Sequence, residues 1–257
     1  MSAQDVVYAA QSQVGYNEKL TAANLELFTS PNDGNGNYTK YGAWAVKNGF
    51  GANPAEWCDM FVSWCGSQAG EAAAVGKFAY VPAHIQWFQD QGRFFLRGDV
   101  TPIPGDVIFF EYMVDGVKDG DHVELVEYCD GTSVHTVGGN SKNAYGIGSV
   151  NRKVYSISDP NIYGYGRPAY SGGSVDPEPT KDLEVYDHWK IYKNGSTPEP
   201  VYADTDFSLQ TGSLNPYEEC YCTGRYGDAY HVLYKVDGTA DTWKVGYVRY
   251  DGGVTDG

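Results

Sequence analysis

The chain has 257 residues, 42% of them hydrophobic, and a formal net charge of −15, which is enough length for two modest domains. Residues 1–171 carry 11 basic and 18 acidic side chains and residues 172–257 carry 7 and 15, so neither part offers the basic face that nucleic acid or an anionic lipid surface requires. No stretch approaches the ~20 apolar residues of a membrane span, while 32 Gly and 22 Tyr suggest a globular protein rich in loops and strands.

In chain order, Met1–Gln11 lacks the basic region and apolar core of a signal peptide. It reads as a first helix, with Ser2 or Asp5 near its cap and Val6, Val7, Ala10 and Val14 inward. The loop Pro31–Thr39 follows, in which Asp33, Asn35 and Asn37 have the alternate spacing of calcium-loop oxygens. It lacks the distal bidentate Glu of a full loop, and an Asn/Gly-rich turn has the same composition. Calcium is one alternative and a plain turn the other.

The run Trp57-Cys58-Asp59-Met60-Phe61-Val62-Ser63-Trp64-Cys65 comes directly after the turn residues Asn53-Pro54-Ala55 and reads as the start of an amphipathic helix. A helix N-terminus favours a thiolate over a thiol, and its free N–H groups can hold an oxyanion. Cys58, at the helix mouth, is therefore a candidate nucleophile, expected in a solvent-open cleft. Cys65 lies on the same face among Phe61, Val62 and Trp64 and reads as core. Trp57 and Trp64 flank the nucleophile, and either packing or lining a substrate groove would suit them.

Pro104-Gly105-Asp106 is turn chemistry ahead of a buried strand, Val107–Phe110. After the polar loop Asp115–Gly120, His122 opens another strand, with His122 and Glu124 on one face and Val123 and Leu125 on the other. His122 is the candidate general base for Cys58. A third strand runs from Val134 into Gly138-Gly139-Asn140-Ser141. Cys–His catalysis uses a further polar group to orient the imidazole, and Asn140 is the residue assigned to that task.

These motifs, followed by Ile162-Tyr-Gly-Tyr-Gly-Arg-Pro-Ala-Tyr170, resemble the CHAP family of cysteine- and histidine-dependent amidohydrolases/peptidases of bacterial cell walls and phage lysins. The resemblance covers about Ala3–Tyr170, with five motifs in the family's order. It implies an α+β, papain-like domain with N-terminal helices packed on a curved antiparallel sheet, and hydrolysis of amide bonds in the peptide part of peptidoglycan. By position it implies Cys58 as nucleophile, His122 as base and acid, and Asn140 at the family's Gly-Asn step. Two departures stand out. The family often places Glu where this chain has Gly138, and usually a small residue where it has Glu124. Glu124 could replace the missing charge; the ordinary alternative is a solvent-facing Glu on an edge strand.

Five cysteines make no disulfide framework, and no paired Cys-x-x-Cys suggests a structural zinc. Cys129 reads as a strand-end residue, and Cys220 and Cys222 as two residues on one strand face. After Tyr170, the Gly-, Pro- and acid-rich stretch 172–186 reads as a linker. Beyond it lie short strands, Trp189–Lys193, Glu199–Tyr202, His231–Val236 and Trp243–Arg249, separated by turn residues. They predict a small all-β barrel over 187–257. The segments Val201-Tyr-Ala, Gly212-Ser-Leu-Asn-Pro, Tyr230-His-Val-Leu-Tyr-Lys-Val and Lys244-Val-Gly-Tyr-Val resemble bacterial Src-homology-3-like wall-binding domains. Tyr202, Tyr217, Tyr226, Tyr230 and Trp243 are candidates for stacking on a wall ligand, with Tyr221 and Tyr250 in the same group.

The expectation is thus a monomeric, endolysin-like peptidoglycan hydrolase, with residues 1–171 catalytic and 187–257 wall-binding. It would be made in the cytoplasm without a signal peptide, or be secreted if a native signal has been trimmed away, act on the Gram-positive wall, need no cofactor and avoid nucleic acid and membrane. Either an N-acetylmuramoyl-L-alanine amidase or a peptide endopeptidase fits. The rivals are an inactive wall-binding protein that retains the fold, and a hydrolase of other amides such as those of glutathionylspermidine.

Overall fold

The computed structural model describes residues 2–112, 120–171, 183–202, 210–226, 229–235, 243–249 and 254–256. The chain divides into two units, Met1–Pro177 and Glu178–Gly257. Most of the loop Asp115–Gly120, linker residues 172–182, the turns Gly227-Asp228 and Asp237-Gly238, and Tyr250 lie outside the described residues. No helix among the described residues is long and apolar enough to cross a membrane.

The first unit is α+β, with its helices ahead of its antiparallel strands. Helix α1 (Ala3–Gln11) starts at a capping box: the Ser2 hydroxyl accepts from the Asp5 N–H, and the Asp5 carboxylate accepts from the Ser2 N–H. It buries Val6, Val7 and Ala10. Val14 falls beyond its end and is half-buried, because the chain turns at Ser12. Helix α2 (Lys40–Lys47) is capped by the Thr39 hydroxyl, which accepts from the Gly42 N–H.

Helix α3 (Cys58–Gln68) lies at the centre, packed against α1, α2, the short α4 (Ala72–Val75) and two strands of the sheet. Its Met60, Phe61, Val62 and Cys65 are fully buried, so it lacks the polar face of a surface helix. Helix α5 (Val81–Asp90) carries Pro82 in its first turn, where a missing N–H costs no bond.

The strands are β1 (Phe94–Leu96), β2 (Val107–Phe110), β3 (His122–Cys129), β4 (Ser133–Lys142), β5 (Gly148–Ser156) and β6 (Ile162–Gly166), paired antiparallel in the order β1-β6-β2-β3-β4-β5. All four residues of β2 are buried, as the apolar run predicts. Strand β3 lies between β2 and β4 and is not an edge strand. One sheet face packs on the helices through Val107, Phe109, Val123, Leu125 and Val137. The other covers a smaller cluster that includes Ile108, Phe110, Val126 and Val134. The Gly138-Gly139 step lies in β4, next to a bulge between Gly138 and Ser141. A Cβ on Gly139 would lie 2.5 Å from the Trp57 ring and 2.9 Å from Phe61, so glycine there lets β4 close against the start of α3.

In the second unit, β7 (Leu183–Lys193), β8 (Glu199–Tyr202), β9 (Gln210–Leu214), β10 (Glu219–Tyr226), β11 (Ala229–Lys235), β12 (Trp243–Arg249) and β13 (Val254–Asp256) pair antiparallel in the order β13-β7-β10-β11-β12-β8-β9. Strand β7 begins at Leu183, inside the stretch read as linker. Cys220 and Cys222 share a core with Tyr192, Val201, Leu214, Tyr230, Val232 and Val248, and all five cysteines of the chain are free.

Candidate active site

Cys58 is the first residue of α3, and Trp57 before it gives no side-chain cap, so the first-turn N–H groups are not satisfied by a capping side chain. His122 is the first residue of β3, opposite Phe110 of β2. The two meet: the imidazole hydrogen-bonds the Cys58 side chain. Its Nε2 lies 3.1 Å from Glu124 Oε1, which leaves Nδ1 as the nitrogen available to the thiol. Burial disfavours a charged ring, but the hydrogen bonds and charges of Cys58 and Glu124 outweigh it and push His122 up to about 10. The sequence suggests a solvent-open cleft, and the structure instead largely buries the pair. Cys58 is only 6% exposed and the His122 side chain 12%, because α3 presses its first turn into the core.

Glu124 corrects the expectation of a solvent-facing side chain. It is fully buried in β3, a central strand of the sheet, and Tyr155 of β5 reaches across to it. Besides His122, its carboxylate accepts from the Thr136 hydroxyl, from the Tyr155 hydroxyl at 3.2 Å and from the Ser141 hydroxyl at 3.4 Å. Burial opposes its ionisation, yet the hydrogen bond and charge of His122, with Thr136, hold it below the usual carboxylate range. Tyr155 in turn bonds Tyr112, whose ring centroid lies 6.4 Å from that of His122.

Asn140 does not reach the ring. At the β4 bulge it adopts φ +59°, and its amide donates to Glu56, which also accepts from Asn37. The carboxylate that meets the ring's Nε2 is that of Glu124. Trp57 lines no groove: it is fully buried, stacked on Tyr41 at 5.4 Å, and donates from Nε1 to Glu18 at 2.8 Å. Glu18 is a partner that sequence reading missed; nothing in its local pattern marks it.

Around the Pro31–Thr39 loop, the ammonium of Lys19 lies 2.6 Å from Asp33 Oδ1, and Asn17 and the Ser30 N–H also donate to that carboxylate. The Asn35 side-chain carbonyl accepts from the Gly148 N–H. Lys19 thus holds the place a cation would take beside Asp33. No group of three or more His, Cys, Asp or Glu among the described residues could hold a metal.

The aromatic candidates of the second unit diverge. Tyr217 is 65% exposed, Tyr202 is half-buried in β8, and Tyr221 is on the surface of β10. Tyr230 is 1% exposed and packs on Tyr192, so it belongs to the core and cannot stack on a wall ligand. Alternation along β11 turns it inward with Val232 and Tyr234. Tyr226 and Trp243 lie in β10 and β12.

The CHAP domain family matches residues 48–140, a stretch that contains Cys58, His122, Glu124 and Asn140. Among solved structures the chain is similar to the crystal structure of Ly7917 and to that of Ly7917 with the hydrolyzing product of MDP. Identity is 13% in both, the TM-scores are 0.38 and 0.37, and the alignments cover 100% and 99% of this chain and 94% of each of those chains. No curated protein matches the sequence.

Proposed function

We propose that the first unit is a peptidoglycan hydrolase that cleaves amide bonds in the peptide portion of the bacterial wall, with Cys58 as nucleophile and His122 as base and acid. The observation that carries this reading is the hydrogen-bonded pair of Cys58, at an uncapped helix start, and His122, at a strand start. The CHAP match over both residues supports the substrate class.

The chemistry follows from the contacts. With the proton held on His122, the Cys58 sulfur attacks the amide carbonyl carbon and a C–S bond forms. First-turn N–H groups of α3 are placed to hold the oxyanion. On collapse the C–N bond breaks, and His122 gives its proton to the leaving amine. Water then transfers a proton to His122 and adds to the thioester; the C–S bond breaks and a carboxylate leaves.

The second unit, in this reading, is a wall-binding domain of Src-homology-3-like type, with residues 172–182 as part of the connection to it. Its antiparallel sheet and the exposed Tyr217 support that role. The test is digestion of purified Gram-positive walls by the full chain and by Cys58→Ala, with fragments read by mass spectrometry. New amine termini with the wild type alone are expected, and their position separates amidase from endopeptidase. Wall binding without any cleavage by the wild type would favour the inactive alternative.

A further inference from the structure

We propose that Glu124 is the positioning residue of His122, a carboxylate delivered from β3 into a seat that Gly138 of β4 leaves open. The inference rests on the reading of Cys58 and His122 as the catalytic pair. Three observations carry it. Leu125 pairs with Val137, which sets Glu124 beside Gly138 on the neighbouring strand, with both residues directed to the same sheet face. A Cβ built on Gly138 would lie 2.4 Å from Glu124 Cγ, 2.6 Å from Cδ and 2.7 Å from Oε1. The carboxyl therefore fills the volume that any side chain at 138 would claim. Finally, Thr136, Ser141 and Tyr155 converge on the two carboxylate oxygens, so its rotamer is fixed from two strands before the ring is counted.

Such a seat does two things for the reaction. It ties Nε2 down and leaves Nδ1 as the nitrogen available to Cys58, and it places a negative charge behind the ring that favours imidazolium over imidazole. Tyr112 faces the ring from the loop after β2, Tyr155 and Lys153 act on the carboxylate from β5, and Asp121 precedes the ring on its own chain. Among the described groups, Cys58 and Glu124 are the ones that hydrogen-bond the imidazole itself.

The test is alkylation of Cys58 by iodoacetamide, followed by mass spectrometry of its peptide across the pH range, on the full chain. This readout needs no wall substrate. In the wild type, alkylation should hold a plateau through neutral pH, and His122→Ala should remove it. A wild-type profile of an ordinary thiol, rising only near pH ~8.5 and unaltered in His122→Ala, would overturn the catalytic pair itself. With the pair established, Glu124→Gln decides the inference. It keeps the shape and most hydrogen bonds but removes the charge, so alkylation at neutral pH should fall about tenfold or more, one pKa unit being a factor of ten. The rise should move toward the ordinary thiol range. Gly138→Ala, whose methyl evicts the carboxyl from its seat, should shift the profile the same way. A wild-type profile in Glu124→Gln overturns the positioning role, and one in Gly138→Ala overturns the seat.

Discussion

The ring of His84 offers the sharpest test of how the start of α3 is held. It is fully buried between Phe78 and Phe88, with centroids at 4.5 and 5.0 Å and planes within 19° and 17°. Its Nδ1 lies 2.7 Å from Asp59 Oδ1 and its Nε2 2.7 Å from the Val75 carbonyl. Both ring nitrogens thus face oxygen atoms, and among the described residues the ring is the side chain that meets the carboxylate of an Asp59 that is 2% exposed. His84→Phe preserves the stacked shape but deletes both ring nitrogens, leaving the buried Asp59 carboxyl without that partner. Removing one partner of a buried ion pair costs about 3–5 kcal/mol. At about 2–4 °C per kcal/mol for a unit of this size, melting should fall by about 6–20 °C. The double variant His84→Phe/Asp59→Leu strands no charge and should recover at least half of the loss. Urea unfolding followed by helical circular dichroism isolates the first unit, since all helices of the described residues lie in it. Single and double variants that add within about 0.5 kcal/mol would refute the coupling, and with it the idea that His84 anchors Asp59, the residue next to Cys58.

Three further outcomes are expected. Asn140→Ala should retain wall hydrolysis within about threefold, far from the loss of about 10²-fold or more expected of a group that supports acid–base catalysis, because its amide bonds Glu56 and not His122; a loss of that size would restore Asn140 as the orienting group. Calcium or EDTA should leave the melting temperature unchanged, since Lys19 already compensates Asp33; a rise of several degrees with calcium would show otherwise. His122 is raised from its ordinary 6.5 to about 10 in the fold. Its contribution to stability is therefore full below pH 6.5 and lost as pH climbs through 10. Urea midpoints should fall over that interval, and His122→Gln should flatten the fall.

Much of the first unit was legible because its signals are local. Val107–Phe110 is an unbroken apolar run and became a fully buried strand; Ser2 with Asp5 is a capping pair and became one. Cys58 directly after a proline turn pointed to a helix start, and the helix begins at that residue. In the second unit, Glu199–Tyr202 and Trp243–Arg249 show strand alternation and form β8 and β12 as read. Strand β9 went unread because Gln210–Leu214 is polar, and β10 was marked only by the alternation of Cys220 and Cys222 because Glu219–Tyr226 mixes small, charged and aromatic residues; pairing, not composition, makes them strands. Tyr230 was misplaced for a related reason, since its strand says which residues alternate but not which face is the inner one.

The group behind the imidazole shows why the rest was hidden. Asn140 was the natural choice by residue type, since a polar side chain following a strand can orient a histidine. Yet the bulge at 138–141 gives Asn140 a left-handed backbone and aims its amide at Glu56. Glu124 looked like surface because a carboxylate is rarely buried without partners. Its partners come from three separate places, Thr136 and Ser141 on β4, Tyr155 on β5 and His122 two residues earlier, and no window of sequence contains them all. The one local trace of the arrangement is a missing side chain at Gly138. A glycine in a strand is informative only once the neighbouring strand is known, and here that neighbour is the one carrying the histidine. The absence at 138 and the charge at 124 are one feature divided between two strands, which is why either residue altered alone should disturb the same titration.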